Sequence, residues 1–231
     1  MQDISARLQV VNDRIARAAE RAQRDPGDVK LVAVSKTKTL EESQAAISAG
    51  AAALGENYAQ ELLRKHQALG ESVEWHFIGH LQSNKAKYLV PFCELIHGVD
   101  SEKLAGEISK RAANLGRKQP VLIEVNLADE ATKHGVSEDG AADLARRIAD
   151  LPSVDLRGLM MMAPYSDDPE DSRPYFERLR RLRDVLVDGG LAEENCRELS
   201  MGMTGDFEVA VEEGATIVRV GTAIFGSRQT T

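Results

Sequence analysis

The segment Leu31-Val32-Ala33-Val34-Ser35-Lys36 decides how this chain folds and where its chemistry is to be sought. A short, mostly apolar run of this kind is typical of a buried parallel strand. In folds that alternate strands and helices, the carboxyl ends of such strands carry the functional groups. Lys36 stands at that end, where burial and the nearby charge of Lys38 favour a neutral, nucleophilic amine. The alternative is a lysine that simply points into solvent.

The composition is that of an ordinary soluble protein. The 231 residues are 42% hydrophobic and 29% charged, which suits one sizeable core, and we expect residues 1–231 to form a single domain. The net charge of -8 argues against a nucleic-acid or acidic-membrane binder, yet it is compatible with a local pocket for one phosphate. The sequence lacks the long apolar stretch of a transmembrane helix, and its charged start lacks the pattern of a secretory signal.

The two cysteines bear on the compartment. Cys93 and Cys196 lie far apart and belong to no C-x-x-C pair. We expect two free thiols in a reducing compartment, the cytoplasm, and no metal site.

Apolar runs alternate with amphipathic stretches along the chain. The predicted strands are 31–35, 52–55, 75–79, 95–99, 121–126, 156–161, 198–201 and 216–220. The predicted helices between them are 40–49, 58–69, 84–90, 101–116, 137–151, 171–188 and 205–213. Such alternation over about 200 residues fits a (β/α)8 TIM barrel, with a doubly wound open sheet as the alternative.

The two ends of the chain favour the barrel. About ten residues follow the last predicted strand, which is too few for a full closing helix. Residues 4–22 form a long amphipathic helix before the first strand, and this helix could cover the gap. We therefore predict an α/β fold, a closed barrel with an extra N-terminal helix. The longest irregular stretch, 163–174, is expected to be a mobile loop after the sixth strand.

Two glycine-containing segments near the C-terminus predict a phosphate site. Residues 199–206 follow the seventh strand, and residues 219–226 span the end of the eighth. Loops at these two positions form the phosphate site of many barrels. Ser200, Thr204 and Thr222 would add hydroxyl donors. Helix capping or a turn would explain either segment alone, but their joint position favours phosphate binding.

The lysine of the first strand and the phosphate site are neighbours across the closure of the barrel. This geometry suits a phosphorylated carbonyl compound that is bound as an imine. A sugar-phosphate aldolase and a pyridoxal 5′-phosphate (PLP) protein both fit. Arg219, at the end of the eighth strand, could face the ring nitrogen of PLP and so favours the second.

Five segments of the chain resemble one known family. They are VSKTK (34–38), GENY (55–58), WHFIGHLQSNK (75–85), LSMGM (199–203) and RVGTAIFG (219–226). These segments are similar to those of the pyridoxal phosphate homeostasis proteins, known as YggS in bacteria and PROSC in animals. That family resembles the barrel domain of bacterial alanine racemase. The resemblance spans essentially the whole chain and implies a fold-type III barrel, PLP held as an internal aldimine, and a role in vitamin B6 balance.

The resemblance also implies roles for individual residues. Lys36 matches the lysine that holds PLP, Asn57 the polar residue beside the ring, and Arg219 the arginine that faces the pyridine nitrogen. The phosphate is expected to contact Ser200, Gly221, Thr222 and, where many relatives have serine, Thr204.

Two histidines flank the end of the third predicted strand. We count His76 among the cofactor-binding residues, where it could stack near the cofactor or act as an acid or base. A hydrogen-bonded core histidine is the alternative, and His80 flanks the same strand.

The predicted site indicates weak catalysis. A permanently cationic arginine disfavours the ring protonation that carbanion chemistry needs. In the racemases the second base comes from an additional domain, and this chain ends at Thr231 without one. We predict no catalytic residue. We expect a monomeric PLP carrier that supplies or buffers PLP for PLP-dependent apo-enzymes. A weak fold-type III amino-acid racemase is the alternative, and a Schiff-base aldolase is a third.

Three further features each have two interpretations. Lys133, in the loop after the fifth strand, could hold a second aldehyde or be a solvated lysine. Residues 160–162, three methionines, are expected to fill the core rather than a cofactor site. The basic run 178–183 is expected to be a solvated helix face, with a docking surface for a PLP-requiring enzyme as the minority interpretation.

Overall fold

Eight parallel strands form a closed barrel in the computed structural model, which describes residues 4–128 and 134–227. The strands are β1 (Lys30–Val34), β2 (Ala53–Glu56), β3 (Glu74–Phe77), β4 (Leu95–Val99), β5 (Gln119–Glu124), β6 (Val154–Met160), β7 (Glu198–Ser200) and β8 (Ile217–Val220). The helices are α1 (Ile4–Arg21), α2 (Leu40–Ser48), α3 (Ala59–Leu69), α4 (Ala86–Leu89), α5 (Glu102–Asn114), α6 (Glu138–Ala149), α7 (Arg173–Asp188), α8 (Phe207–Glu212) and α9 (Thr222–Phe225).

The pairing of the first and last strands confirms the barrel. β1 pairs in parallel with β2 and also with β8, where Lys30 is opposite Ile217. The open doubly wound sheet is therefore wrong. Each predicted strand coincides with an observed one, and its ends differ by at most two residues. The one-turn helix α9 was not predicted, because four residues carry too little periodicity to reveal it.

Helix α1 covers the gap at the end of the barrel, as predicted. It packs against α2, α8 and α9, and it buries a stripe of apolar side chains. Arg14 and Arg21 of α1 form ion pairs with Glu208 (2.6 Å) and Glu212 (2.7 Å) of α8. The long N-terminal helix thus packs beside α9, the one-turn helix that follows β8.

The strands sort their side chains between two cores. Side chains alternate between the two faces of a strand, so one set packs under the helices and the other fills the barrel. The apolar part of the barrel interior is a small cluster: Val32, Ala53, Leu95, Leu122, Met160 and Ile217. Many of the other inward positions carry polar side chains, and these build the site described below.

The loop after β6 is shorter than predicted. Residues 161–168 have no regular structure, but a 3-10 turn over Pro169–Ser172 leads directly into α7. Proline and the side chain of Asp168, which accepts the Glu170 N–H at 3.0 Å, start this turn. The mobility of the loop stays a prediction.

The basic run lies on α7 as a partly solvated helix face. Leu179 and Leu182 are buried, whereas Arg178 pairs with Glu138 at 2.6 Å and Arg180 with Glu213 at 3.1 Å. These pairs give the arginines structural partners. A docking role for this face stays a prediction.

Two other expectations concern the whole chain. Cys93 and Cys196 are free, as predicted, and both are buried. None of the helices in the described ranges combines the length and apolar character needed to cross a bilayer.

Candidate functional site

A cavity of about 430 Å³ opens at the carboxyl ends of the strands. Its volume is in the range of small-molecule sites. Six of the eight predicted site residues line it: Lys36, Asn57, Thr204, Arg219, Gly221 and Thr222. The other two, His76 and Ser200, lie below it in the barrel interior.

Lys36 is carried by a tight turn after β1. The next residue, Thr37, has a φ of +64°, which is unfavourable for a β-branched side chain. Its N–H donates to Glu61 Oε1 at 2.8 Å. A strained backbone persists only where its surroundings hold it, so the position of Lys36 is imposed by neighbouring residues.

A buried ionic cluster stands behind this turn. Lys65 of α3 is fully buried, and its Nζ donates to the Ser35 carbonyl oxygen (2.6 Å) and to Glu56 Oε1 (2.7 Å). It also pairs with Glu61 at 3.0 Å, while Ser35 Oγ donates to Glu56 at 2.6 Å. Burial raises the pKa of Glu56, and Lys65 opposes the shift. We call Ser35, Glu56, Glu61 and Lys65 the Lys65 cluster.

The second lysine of the turn, Lys38, faces away from the cavity. Its Nζ donates to the Phe225 carbonyl oxygen at 3.1 Å and lies 3.6 Å from Glu42. Glu42 thus partly compensates the charge of Lys38, whose predicted effect on Lys36 stays a prediction.

Asn57 lines the cavity and carries a polar atom that is not satisfied. Its Oδ1 is buried and, within the described residues, has no hydrogen-bond partner. Such an atom is costly unless a ligand or water satisfies it. Gly79 makes this packing possible, because a side chain there would clash with the Asn57 carbonyl oxygen.

Hydroxyl and backbone N–H groups converge on the other side of the cavity. Thr204 Oγ1 accepts the Gly221 N–H at 3.3 Å, and Thr222 follows directly. Gly221 packs closely on β1, where an added Cβ would lie 3.3 Å from the Val34 carbonyl oxygen. The carboxylate of Asp206 also lines this side, but it accepts from the Met203 N–H at 2.6 Å and from Ser172 Oγ at 3.0 Å.

Arg219 forms part of the cavity floor. It is 4% exposed, and it donates to Ser200 Oγ (2.6 Å) and to the Met161 carbonyl oxygen (2.8 Å). Burial lowers its pKa to about 10, so it remains a cation at neutral pH. Ser200 therefore supports Arg219 from below in this structure, and its predicted contact with phosphate stays a prediction.

Two histidines continue from Ser200 into the barrel interior. His97 Nδ1 lies 2.8 Å from Ser200 Oγ, and its Nε2 lies 2.9 Å from His76 Nδ1. Burial lowers the pKa of both histidines. His76 is thus a hydrogen-bonded core histidine here, which was one of its two interpretations, and its predicted cofactor contact remains untested. His97 was missed, because one histidine within an apolar strand gives no functional signal.

Glu124, at the end of β5, is an unpaired carboxyl near Arg219. Its Oε2 has no hydrogen-bond partner in the described part of the chain. Burial, with a smaller contribution from Asp100, raises its pKa to about 7, and Arg219 opposes the shift. Its place at the end of a buried strand, where the carboxyl ends of the barrel strands carry functional groups, is the sequence signal for such a carboxyl.

Tyr165 lies at the mouth of the cavity and was also missed. Its side chain is 91% exposed, and its hydroxyl donates to Asp167 at 2.8 Å. That hydrogen bond raises the pKa of the phenol, which makes it a poor base at neutral pH.

One group of side chains comes close enough to share a cation. His80, Asp100 and His134 have potential ligand atoms within 4.8 Å of one another. The two imidazole rings are stacked, with centroids 3.8 Å apart and planes 11° from parallel. A metal binds imidazole nitrogen in the plane of the ring, so these rings do not aim at one ion.

Lys133 lies outside the described residues.

Comparison with known proteins links this chain to a family. Residues 7–229 match the family model described as alanine racemase, N-terminal domain. A protein of Aquifex aeolicus (strain VF5) named pyridoxal phosphate homeostasis protein is 48% identical over 226 residues, which cover 96% of this chain and 97% of the relative.

Two solved structures are also similar to this chain. PipY of Synechococcus elongatus with PLP bound is 34% identical with a TM-score of 0.83, and the match covers 96% of this chain and all (100%) of PipY. The alanine racemase of Clostridium difficile 630, at 16% identity and a TM-score of 0.76, shares the barrel fold; 100% of this chain matches 58% of the racemase.

Proposed function

The chain belongs to the pyridoxal phosphate homeostasis proteins, and on this premise we propose that it binds PLP through Lys36 and serves as a carrier of the cofactor. The observation that carries the proposal is the shared cavity. It brings Lys36, which follows β1, together with Arg219 and with the hydroxyl groups of Thr204 and Thr222. In the sequence these groups are separated by more than 160 residues. A phosphorylated ring that carries an aldehyde needs this combination.

The residues of the cavity fit PLP chemically. PLP supplies an aldehyde that an amine binds reversibly, and a pyridine ring whose electron demand depends on protonation of its nitrogen. Lys36 would supply the amine, and Asn57, which lines the same cavity, would lie beside the ring. Thr204 and Thr222, on either side of Gly221 in the cavity, would hold the phosphate: Thr204 Oγ1 accepts the Gly221 N–H and so keeps its own proton to donate, and hydroxyl groups are usual neutral donors to phosphate.

Arg219 favours a carrier over a racemase. Its guanidinium can only donate hydrogen bonds, so it would meet the ring nitrogen as an acceptor and disfavour its protonation. At the mouth, Tyr165 already donates to Asp167 and is a poor base. The described cavity thus supports binding better than it supports proton transfer on two faces of a substrate.

The proposal is tested by mapping the covalent attachment. The protein is loaded with PLP, reduced with borohydride and digested, and the labelled peptide is identified. We expect the label on Lys36 and its loss in Lys36→Ala. Lys38→Ala is the matched control and should keep the label, because it removes a lysine two positions away that donates to the Phe225 carbonyl oxygen and does not line the cavity. A label on another lysine in the unaltered protein would contradict the assignment.

The carrier role requires a second measurement. We propose PLP-dependent apo-enzymes as recipients, in the cytoplasm, where free buried thiols such as Cys93 and Cys196 are typical. The PLP-loaded protein should reactivate an apo-enzyme faster than spontaneous release of PLP into solution allows, and it should racemise alanine negligibly. Sustained racemisation without faster reactivation would favour the racemase instead.

A further inference from the structure

A row of buried polar side chains crosses the barrel from one end to the other. It begins at Arg219 in the floor of the upper cavity and continues through Ser200, His97 and His76. His76 lines a second cavity, of about 220 Å³, whose other lining residues include Lys30 and Glu198 at the amino ends of strands. All four side chains are at most 4% exposed. We call this row, with Glu74 at its end, the histidine chain.

The direction of every hydrogen bond in the histidine chain follows from Arg219. An arginine only donates, so Ser200 Oγ must accept from it and has its own proton to give. That proton can go to His97 Nδ1, 2.8 Å away. A neutral His97 then carries its hydrogen on Nε2 and donates to His76 Nδ1 at 2.9 Å. The same tautomer is imposed on His76.

The far end of the chain supplies the acceptor that this direction requires. His76 Nε2 lies 3.4 Å from Glu74 Oε2, and Lys30 Nζ lies 2.5 Å from the same oxygen. The hydrogen bond from His76 and the charge of Lys30 lower the pKa of Glu74 to about 2, so it is an anion at neutral pH. The chain therefore runs from a fixed cation to a fixed anion.

The interior of the barrel keeps both histidines neutral. Burial is the main cause of their lowered pKa values, and for His97 the charge of Arg219 acts in the same direction. A protonated His97 would also donate to Ser200 Oγ, as Arg219 does, and the Ser200 hydroxyl proton would then lack the acceptor that His97 Nδ1 provides. Neutral rings in one tautomer satisfy every contact of the chain.

We propose that Ser200, His97 and His76 are positioning residues, which hold the Arg219 guanidinium opposite the ring nitrogen of bound PLP. This inference rests on the proposed function. Ser200 and the Met161 carbonyl oxygen hold one N–H each of the two terminal nitrogens. The remaining N–H groups can only donate, so the site selects a ring that presents an acceptor. The histidine chain thereby connects the ligand site at one end of the barrel to the cavity at the other end.

The first test reads the tautomers in the ligand-free protein. In protein labelled with 15N-histidine, NMR distinguishes protonated from unprotonated ring nitrogens. We expect His97 and His76 both to carry hydrogen on Nε2 and none on Nδ1 at neutral pH. A hydrogen on Nδ1 of either ring, or an imidazolium, would overturn the proposal. This readout needs no PLP, so it is independent of whether the proposed function holds.

The second test interrupts the histidine chain at Ser200. Ser200→Ala removes the link between Arg219 and His97, and we expect roughly tenfold weaker PLP binding, a changed absorption spectrum of the bound cofactor and a mixture of His97 tautomers. Ser109→Ala, a buried serine on α5, is the matched control and should leave all three unchanged. Unaltered affinity and spectrum in a folded Ser200→Ala protein would contradict the positioning role. Failure of the unaltered protein to bind PLP would instead contradict the proposed function.

Discussion

The two sides of the cavity are supported by buried polar groups of opposite character. Behind Lys36, the Lys65 cluster places one ammonium group between two carboxylates. Beneath Arg219, the histidine chain uses a hydroxyl and two neutral rings. The ionic cluster fixes backbone, because it joins α3 to the turn that carries Lys36. The neutral chain fixes one side chain inside the barrel.

The difference teaches what each side can tolerate. A buried charge that loses its partner is left without solvation, so the members of an ionic cluster depend strongly on one another. A neutral hydrogen bond that is lost costs only the pairing of its donor or acceptor. Damage to the Lys65 cluster should therefore affect folding, whereas damage to the histidine chain should affect the ligand more than the fold.

The largest effect is expected at Lys65. Lys65→Met leaves the buried Glu56 carboxylate without its ion-pair partner and with Ser35 Oγ as its remaining donor, and we expect the free energy of unfolding to fall by about 3–5 kcal/mol. Urea denaturation at pH 7 measures it. Lys103→Met, on the exposed face of α5, should change stability by less than about 0.5 kcal/mol. Adding Glu56→Gln to Lys65→Met should recover part of the loss. A loss below about 1 kcal/mol would remove the contrast between the two sides.

A pH-dependent effect is expected at Glu124, a buried carboxyl that belongs neither to the Lys65 cluster nor to the histidine chain. Its pKa rises from 4.5 in the unfolded chain to about 7, so the native state binds the proton more tightly. Stability therefore falls between pH 4.5 and 7 by up to about 3 kcal/mol and is then constant. Glu124→Gln should abolish this decline and gain most over the unaltered protein at pH 8. Parallel stability curves for the two proteins would refute the prediction.

A smaller effect on folding is expected where the histidine chain is cut. Ser200→Ala should lower the free energy of unfolding by about 1.5–3 kcal/mol, because it removes the acceptor of one N–H of the buried Arg219 cation but leaves the Met161 carbonyl oxygen as its other acceptor. The same urea experiment makes the value directly comparable with that of Lys65→Met. A loss as large as that of Lys65→Met would mean that the two sides do not differ in kind.

The smallest effect is expected at the mouth. Tyr165→Phe removes only a solvent-exposed hydroxyl and its contact with Asp167, so stability should change by less than about 0.5 kcal/mol. PLP labelling of Lys36 should also be unchanged. Denaturation and peptide mapping check both points. Loss of labelling would assign the mouth a role in binding that the supporting groups below do not explain.

The barrel could be predicted because its signals are local. The run 31–35 and the other strand patterns are apolar over consecutive residues, and glycines and capping residues mark their ends. The amphipathic start of the chain showed which element would close the barrel. Six of the site residues could be placed because a barrel puts every strand's carboxyl end on one face.

The supporting groups could not be predicted, because their meaning depends on contacts between distant positions. Lys65 reads as one more polar residue of an amphipathic helix until α3 turns it towards Glu56. His97 and Ser200, which touch at 2.8 Å, are 103 positions apart. Sequence patterns report which face a residue occupies, but not which side chain meets it there.

The most direct test of the central claim is a crystal structure of the PLP-loaded protein. We expect the ligand in the cavity at the carboxyl ends of the strands, bonded to Lys36 Nζ, with its phosphate at Thr204, Gly221 and Thr222. An N–H of Arg219 should lie about 3 Å from the ring nitrogen. A ligand bound through another lysine, or a ring turned so that its nitrogen points away from Arg219, would contradict the claim that the two supporting groups position one cofactor between them.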